Sequence, residues 1–301
     1  MKKYLNKFFS SIVLLIFVLF VSFTLVSCND NKTNDSKYTI EDLESLVFED
    51  TTFVYDGAKH GITIENIPEG IEVIDIDAFY NDANIINEVV FPSTLKKISD
   101  GAFSKTKIKK FNFSKCTSLV EIGHSAFENC NVYSSKITLP NSVKIISDYA
   151  FSNTKLNVVI SENNEIEYIG ESALYSSDIT SIKLTRSLKH LGKAAFSGCS
   201  DLTSVTFDDD ISLNEIPDEC FKLTGIKLLN LPVSVQKIGN SSFANCSSLL
   251  ALMYKDGSNI QVIGDSAFAS NTKMKYFGEY LNVDFENHYY STINIPSSVV
   301  Q

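Results

Sequence analysis

The chain contains no tryptophan, 13 glycines, 6 prolines and only four histidines among 301 residues. So little glycine and proline excludes collagen-like and low-complexity chains. The histidines (His60, His124, His190 and His288) form no His-Glu-x-x-His or His-x-x-x-His spacing, and metal or general-base chemistry needs side chains that converge. A glycine-rich phosphate loop and a Gly-x-Ser-x-Gly elbow are also missing from the sequence. Neither an enzyme nor a cofactor is expected. Positive charge is scarce as well. The formal net charge is -10, and beyond residue 28 there are 23 basic against 36 acidic residues, a balance of -13. That field repels a phosphate backbone, and the densest basic run, Lys105 to Lys110, lies within one short stretch. Nucleic acid is not an expected partner. Asp208-Asp209-Asp210 is an acidic cluster, but calcium needs six or more oxygens and three consecutive aspartates point different ways. It reads as a solvated loop.

What is present is apolar: 44% of residues are hydrophobic, and 21 are phenylalanine. Met1 to Lys7 is basic, and Phe8 to Val26 is a nearly unbroken apolar run ending in Leu25-Val26-Ser27-Cys28. A basic start, an apolar stretch and small residues before a cut describe a secretory signal. The last four residues resemble the lipobox of bacterial lipoproteins. That resemblance implies that Cys28 carries the lipid, becomes the new N-terminus and anchors the chain to the outer face of a bacterial membrane. A retained membrane-spanning helix over residues 8–26 is the alternative, since 19 residues are just long enough to span. Both readings export residues 29–301. Residues 29–48 are an acidic tether with a possible short helix from Thr39 to Phe48, capped by Thr39 with Asp42 three residues later.

The rest of the chain is a repeat. Phe79, Phe103, Phe127, Phe151, Leu174, Phe196, Phe221, Phe243 and Phe268 are spaced by 24, 24, 24, 23, 22, 25, 22 and 25 residues. Five positions before each stands an Ile or Leu (Ile74 through Ile263), and eight before stands another aliphatic residue. Alanine immediately precedes seven of the nine, with Cys220 and Ser242 as the exceptions. Its small size suggests that the next coil passes close by. Between these blocks run short strands such as Leu202 to Phe207, and Pro92, Pro140, Pro232 and Pro296 stop four of them for lack of an N–H. A period of 22–25 with one strand per copy is the leucine-rich-repeat signature. Stacking copies about 4.8 Å apart merges the columns into one continuous core. The expected fold is a mainly β repeat solenoid. It would be a right-handed coil with a parallel sheet on one face and short turns or irregular segments on the other.

More specifically, residues 139–151 and 231–249, with their Ile-Gly-x-x-Ala-Phe-x-x-Cys core, resemble the BspA-like class of leucine-rich repeats over roughly residues 62–277. The resemblance implies a surface-exposed, often adhesive or host-interacting protein with no defined pocket. The copies at Ile74, Ile98 and Ile146 lack the glycine and the Leu174 copy lacks the phenylalanine, so looser turns are expected there. Residues 53–71 look like the opening of a bacterial immunoglobulin-like repeat. They are read as an N-terminal strand cap over 49–70, covering an edge that would otherwise invite aggregation. Nine repeats then occupy 71–278, and 279–301 form a C-terminal cap or incomplete repeat.

One position per strand lies between two core positions and must face out: Val90, Asn112, Thr138, Ile160, Lys183, Thr206, Asn230, Met253 and Gly278. This column has no repeated chemistry, so it is the candidate binding face for a protein or glycan ligand on another cell or in extracellular matrix. The alternative is a passive structural or coat lipoprotein with a merely solvated face. Cys130, Cys199 and Cys246 fall three after the Phe position, in coils too far apart to pair. They read as free, buried thiols.

Overall fold

The computed structural model of the protein describes residues 53–55, 67, 69–82, 88–130 and 136–279. The expected signal segment with Cys28, the expected tether and short helix, and most of the expected C-terminal cap, 280–301, lie outside the described residues.

The described chain is a parallel β-solenoid of nine coils, with no helix among the described residues. Each coil carries two strand segments, one more than the spacing pattern alone indicates. After a four-residue first strand, the first ladder uses two-residue strands that end on the Ile column. Ile71–Ile74, Lys97–Ile98, Glu121–Ile122, Ile145–Ile146, Tyr168–Ile169 and His190–Leu191 pair in parallel, with Phe53–Tyr55 ahead of them. Glu215–Ile216, Lys237–Ile238 and Val262–Ile263 continue as a separate group. Alternation explains the pattern: Ile98 and Ile122 are fully buried, while Lys97 and Glu121 point outward and form an ion pair at 2.9 Å.

The second ladder uses the longer strands read from sequence. It comes in groups: Val89–Val90 with Phe111–Asn112, Lys136–Thr138 with Asn157–Val159, and Ser181–Leu184 with Ser204–Phe207. The last group joins Leu228–Leu231, Ala251–Tyr254 and Tyr276–Glu279.

The Phe turn closes each coil. Phe103, Phe127 and Phe151 stack with ring centroids 5.3 and 5.1 Å apart and planes within 7°, close to the spacing of paired strands. Leu174 interrupts the stack, and Phe196, Phe221, Phe243 and Phe268 resume it at 5.5 to 5.7 Å. From Phe79 to Phe243, each residue of this column donates its N–H to the carbonyl of the residue before the column position in the next coil, as Phe103 does to Ala126 at 2.8 Å. The backbones meet at that point, which accounts for the alanine.

Two residues per turn, two before and two after the Phe, adopt left-handed φ. Asp77 and Asn81 (φ 54° and 52°) and Ser241 and Asn245 (53° and 60°) are examples. Asn and Asp suit such positions, yet Tyr149 and Leu223 are held there too, at 57° and 60°.

The residue after the Ile column ties coil to coil. Ser99, Gly123, Ser147, Gly170, Gly192, Gly239 and Gly264 each donate their N–H to the Ile-column carbonyl of the coil before, at 2.7–2.9 Å. Two of the three turns expected to be looser for want of glycine are therefore as tight as the rest: Ser99 and Ser147 bond at 2.9 Å. The coil of Glu215–Ile216 differs. Pro217 holds this position, and proline has no N–H. Here the short ladder splits between His190–Leu191 and Glu215–Ile216, and the long ladder splits between Ser204–Phe207 and Leu228–Leu231. Only the Phe turn crosses unbroken, through Ala194 to Asp218, Phe196 to Cys220 and Gly198 to Lys222 at 2.8–3.0 Å. The solenoid has a seam at this boundary.

Candidate binding face

The outer face of the long ladder is set by register. Thr138, Thr206 and Asn230 are exposed, and Val90, Asn112 and Lys183 are half-buried, all pointing away from the core. Three expected members of this column, Ile160, Met253 and Gly278, are not exposed. Ile160 is buried at 8%, because Thr138 aligns with Val159, so Val159 faces out and Ile160 packs inward. Val158, Val159 and Ile160 are three consecutive apolar residues, and alternation cannot be read through such a run. Met253 does face outward, beside Asn230, but is only 3% exposed. It clusters with Ala251 and Tyr276, apart from the main core. Gly278 is next in the same column; a Cβ there would come within 2.6 Å of the Tyr276 hydroxyl oxygen.

Charge on this face is paired across coils. Glu88 takes Lys110 at 2.8 Å and the Asn112 amide at 2.7 Å, and both hold its carboxyl below the usual range. Lys183 meets Asp208 at 2.9 Å, so the Asp208 carboxyl is likewise lowered and the Lys183 ammonium raised. Arg186 reaches Asp210 at 2.9 Å, and Lys255 pairs with Asp209 from two coils away. The three aspartates are thus each tied to a cation, and among the described residues no cluster of side chains could hold a metal ion.

The seam opens on this face as a groove of about 430 Å³ between Thr203–Asp209 and Lys227–Val233, with Lys255 at its rim. Ser204, Thr206 and Asn230 supply polar edges. Leu228 and Val233, 44% and 39% exposed, supply apolar contact. Sequence reading placed Thr206 and Asn230 on the face but missed the groove between them. The available signal was Pro217, the single proline in a column otherwise of Gly, Ser and Asp75.

The remaining candidates stay apart. His124 is exposed, edge-on to Tyr149 at 5.6 Å. His190 stacks on Tyr168 at 4.5 Å, and burial lowers its pKa. His60 and His288 lie outside the described residues. Cys116, Cys130, Cys199, Cys220 and Cys246 are all buried and free. Cys130, Cys199 and Cys246 donate their thiols at 2.9–3.0 Å to the carbonyls of Phe103, Leu174 and Phe221 in the preceding coil. Burial pushes Cys130 up to about 12 and Cys199 up to about 11, so these are structural thiols and not nucleophiles.

The chain matches the family model described as BspA type leucine rich repeat region, in six copies over residues 52–173, 120–250 and 167–290. No curated protein matches it. Among solved structures it is similar to a leucine-rich repeat protein from Bacteroides ovatus, at 22% identity over 90% of each chain with a TM-score of 0.45. It is also similar to a leucine rich cell surface protein from Faecalibacterium prausnitzii, at 19% identity over 70% of this chain and 80% of that one, with a TM-score of 0.39. A third is the pneumococcal vaccine antigen PcpA, at 17% identity over 79% and 78%, with a TM-score of 0.34. The family model runs across nearly the whole described solenoid, and the stacked Ile, Ala-Phe and Leu columns are its repeat: the chain belongs to the BspA type leucine-rich-repeat family.

Proposed function

We propose that this is an exported surface protein that binds a protein partner through the outer face of its long ladder, centred on the seam groove, and that it carries out no catalysis. The groove carries the reading. It combines exposed aliphatic side chains, hydroxyl and amide edges and a rim of paired charges, the mixture that a protein interface uses. The one aromatic residue in its lining, Phe207, is half-buried against the core and offers a sugar little ring face, which favours a polypeptide over a glycan. Acylation at Cys28 would hold the solenoid at the outer face of a bacterial membrane, as the lipobox resemblance implies. A Cys28→Ser chain should then lose fatty-acid labelling; a normally labelled variant removes the anchor from the reading.

The binding test screens the protein against matrix and cell-surface proteins and against glycans. Any hit is then repeated with Leu228→Asp and, as a control, Val262→Asp, an exposed aliphatic residue of the short ladder, 42% exposed. Loss of affinity by roughly tenfold or more for the first alone supports the groove. Equal effects, or no protein ligand at all, favour a passive coat.

A further inference from the structure

The long ladder is also interrupted between Phe111–Asn112 and Lys136–Thr138 and between Asn157–Val159 and Ser181–Leu184, yet there the short ladder runs on. At the seam both ladders stop together. What continues across it is the Phe turn. Ala194, Phe196 and Gly198 donate their N–H groups to the carbonyls of Asp218, Cys220 and Lys222 at 2.8–3.0 Å, and the rings of Phe196 and Phe221 stack at 5.5 Å within 5°. The seam therefore has one fastened side and, opposite it, the open groove. Beneath the groove Val205 and Leu229 stay buried, so the core is closed while the sheet above it is split. One ion pair ties the groove's two sides. The Asp208 N–H bonds the Leu184 carbonyl at 3.0 Å, which fixes the neighbouring Asp209 to the N-terminal side. Lys255 follows the strand Ala251–Tyr254, which pairs with Leu228–Leu231 on the C-terminal side. The Lys255–Asp209 contact thus reaches past the strand Leu228–Leu231 that lies between them. Its side chains are 49% and 86% exposed, and an ion pair so open to water holds only weakly.

We propose that the solenoid hinges at this seam, with the Phe turn as the axis, and that the Lys255–Asp209 pair is a strap that holds the groove narrow. Each coil of a solenoid contacts only its neighbours, so slack at one boundary bends the whole stack at that place. A hinge needs only a few positions to absorb the motion. Pro217 supplies the cause, because a residue with an N–H there would face the Leu191 carbonyl, as Gly192 faces that of Ile169. The consequence bears on the groove: its width is variable, and whatever enters between its walls opens it against the strap. The bend belongs to the free protein and does not depend on which partner the face binds.

Spin-label distance measurements on the full chain test this. Thr138→Cys with Asn230→Cys spans the seam, and Thr138→Cys with Thr206→Cys, wholly on its N-terminal side, is the control; all three positions are exposed on the outer face. The native thiols of the solenoid are buried, so the unsubstituted chain supplies the background. The distribution across the seam should be broader than that of the control. Asp209→Asn, a change at an exposed side chain, should shift it to longer distance and leave the control where it was. Pro217→Gly, which restores an N–H opposite the Leu191 carbonyl, should narrow it. A seam distribution as narrow as the control overturns the hinge, and a broad one that Asp209→Asn leaves unchanged overturns the strap. A Pro217→Gly distribution as broad as before places the slack away from the seam and overturns the proposal as well.

Discussion

Gly192 donates its N–H to the Ile169 carbonyl at 2.8 Å, and one coil further on, opposite Leu191, Pro217 has no N–H to give. A neighbouring contact is lost with it. Gln236 bonds the Asn214 carbonyl and Lys189 bonds the Glu167 carbonyl, each at 2.8 Å, whereas the strand ladder is split between His190–Leu191 and Glu215–Ile216. Backbone amides without partners exchange through small local openings. The amide of Asn214 should therefore exchange with deuterium faster than that of Gln236, by roughly tenfold or more. Residue-resolved exchange checks this, and equal protection would mean that the ladder is continuous in solution.

Leu223 stands two residues after Phe221 with φ +60°, and its side chain is 49% exposed. The same position holds Asn81, Asn129, Asn153 and Asn245 in other coils. A γ-branched residue in the left-handed region costs more than asparagine, whose short polar side chain tolerates it. Leu223→Asn removes little buried area and should raise stability by about 0.5–1 kcal/mol. A lower denaturant midpoint would show that the leucine makes a contact worth more than the strain.

Ser242 takes the place that alanine holds in seven other coils, and it is fully buried with no hydrogen-bond partner for its hydroxyl. An unpaired buried hydroxyl costs about 1–3 kcal/mol. Ser242→Ala should stabilise by about 1 kcal/mol, measured by denaturant unfolding. Destabilisation would imply a bonded water at that site.

Phe196 and Thr206 test the register. Phe196 is fully buried and stacked on Phe221 at 5.5 Å, whereas Thr206 is exposed on the outer face. Phe196→Ala should cost about 3–5 kcal/mol, and Thr206→Ala less than about 0.5 kcal/mol. Similar losses in urea melts would contradict the assignment of the two columns.

The columns that make the core were legible because burial imposes one residue type at a fixed period, as in Ile98, Ile122 and Ile146. The short ladder was not, because a strand of two residues such as Lys97–Ile98 offers only one alternation. Ile160 was misplaced where three apolar residues run together. Met253 was placed on the outer face correctly, yet nothing in its own coil announces that it is buried. The seam needed the Gly column to be compared across coils, where Pro217 stands out only once the hydrogen bond it cannot make is known.

The thiols give the last prediction, and its sign follows from burial. An unfolded cysteine ionises near 9, whereas Cys116 and Cys130 are pushed up to about 12 and Cys199 to about 11, in each case chiefly by loss of solvent around the thiolate. Between those values the folded chain holds protons that the unfolded chain has lost, so stability must fall as pH rises. The contribution is whole below about pH 9 and declines as pH climbs from there toward 12. Thr106, Thr154 and Thr224 occupy the same column as Cys130, and the Thr106 and Thr224 hydroxyls bond the Phe103 and Phe221 carbonyls at 2.9 and 2.8 Å. Threonine is therefore a sound replacement that does not ionise. Denaturant midpoints measured from pH 8 to about pH 10.5 should drop less steeply for Cys130→Thr than for the unsubstituted chain. Parallel curves would mean that the thiol at position 130 already meets water in the folded state, and that the coil around it is open.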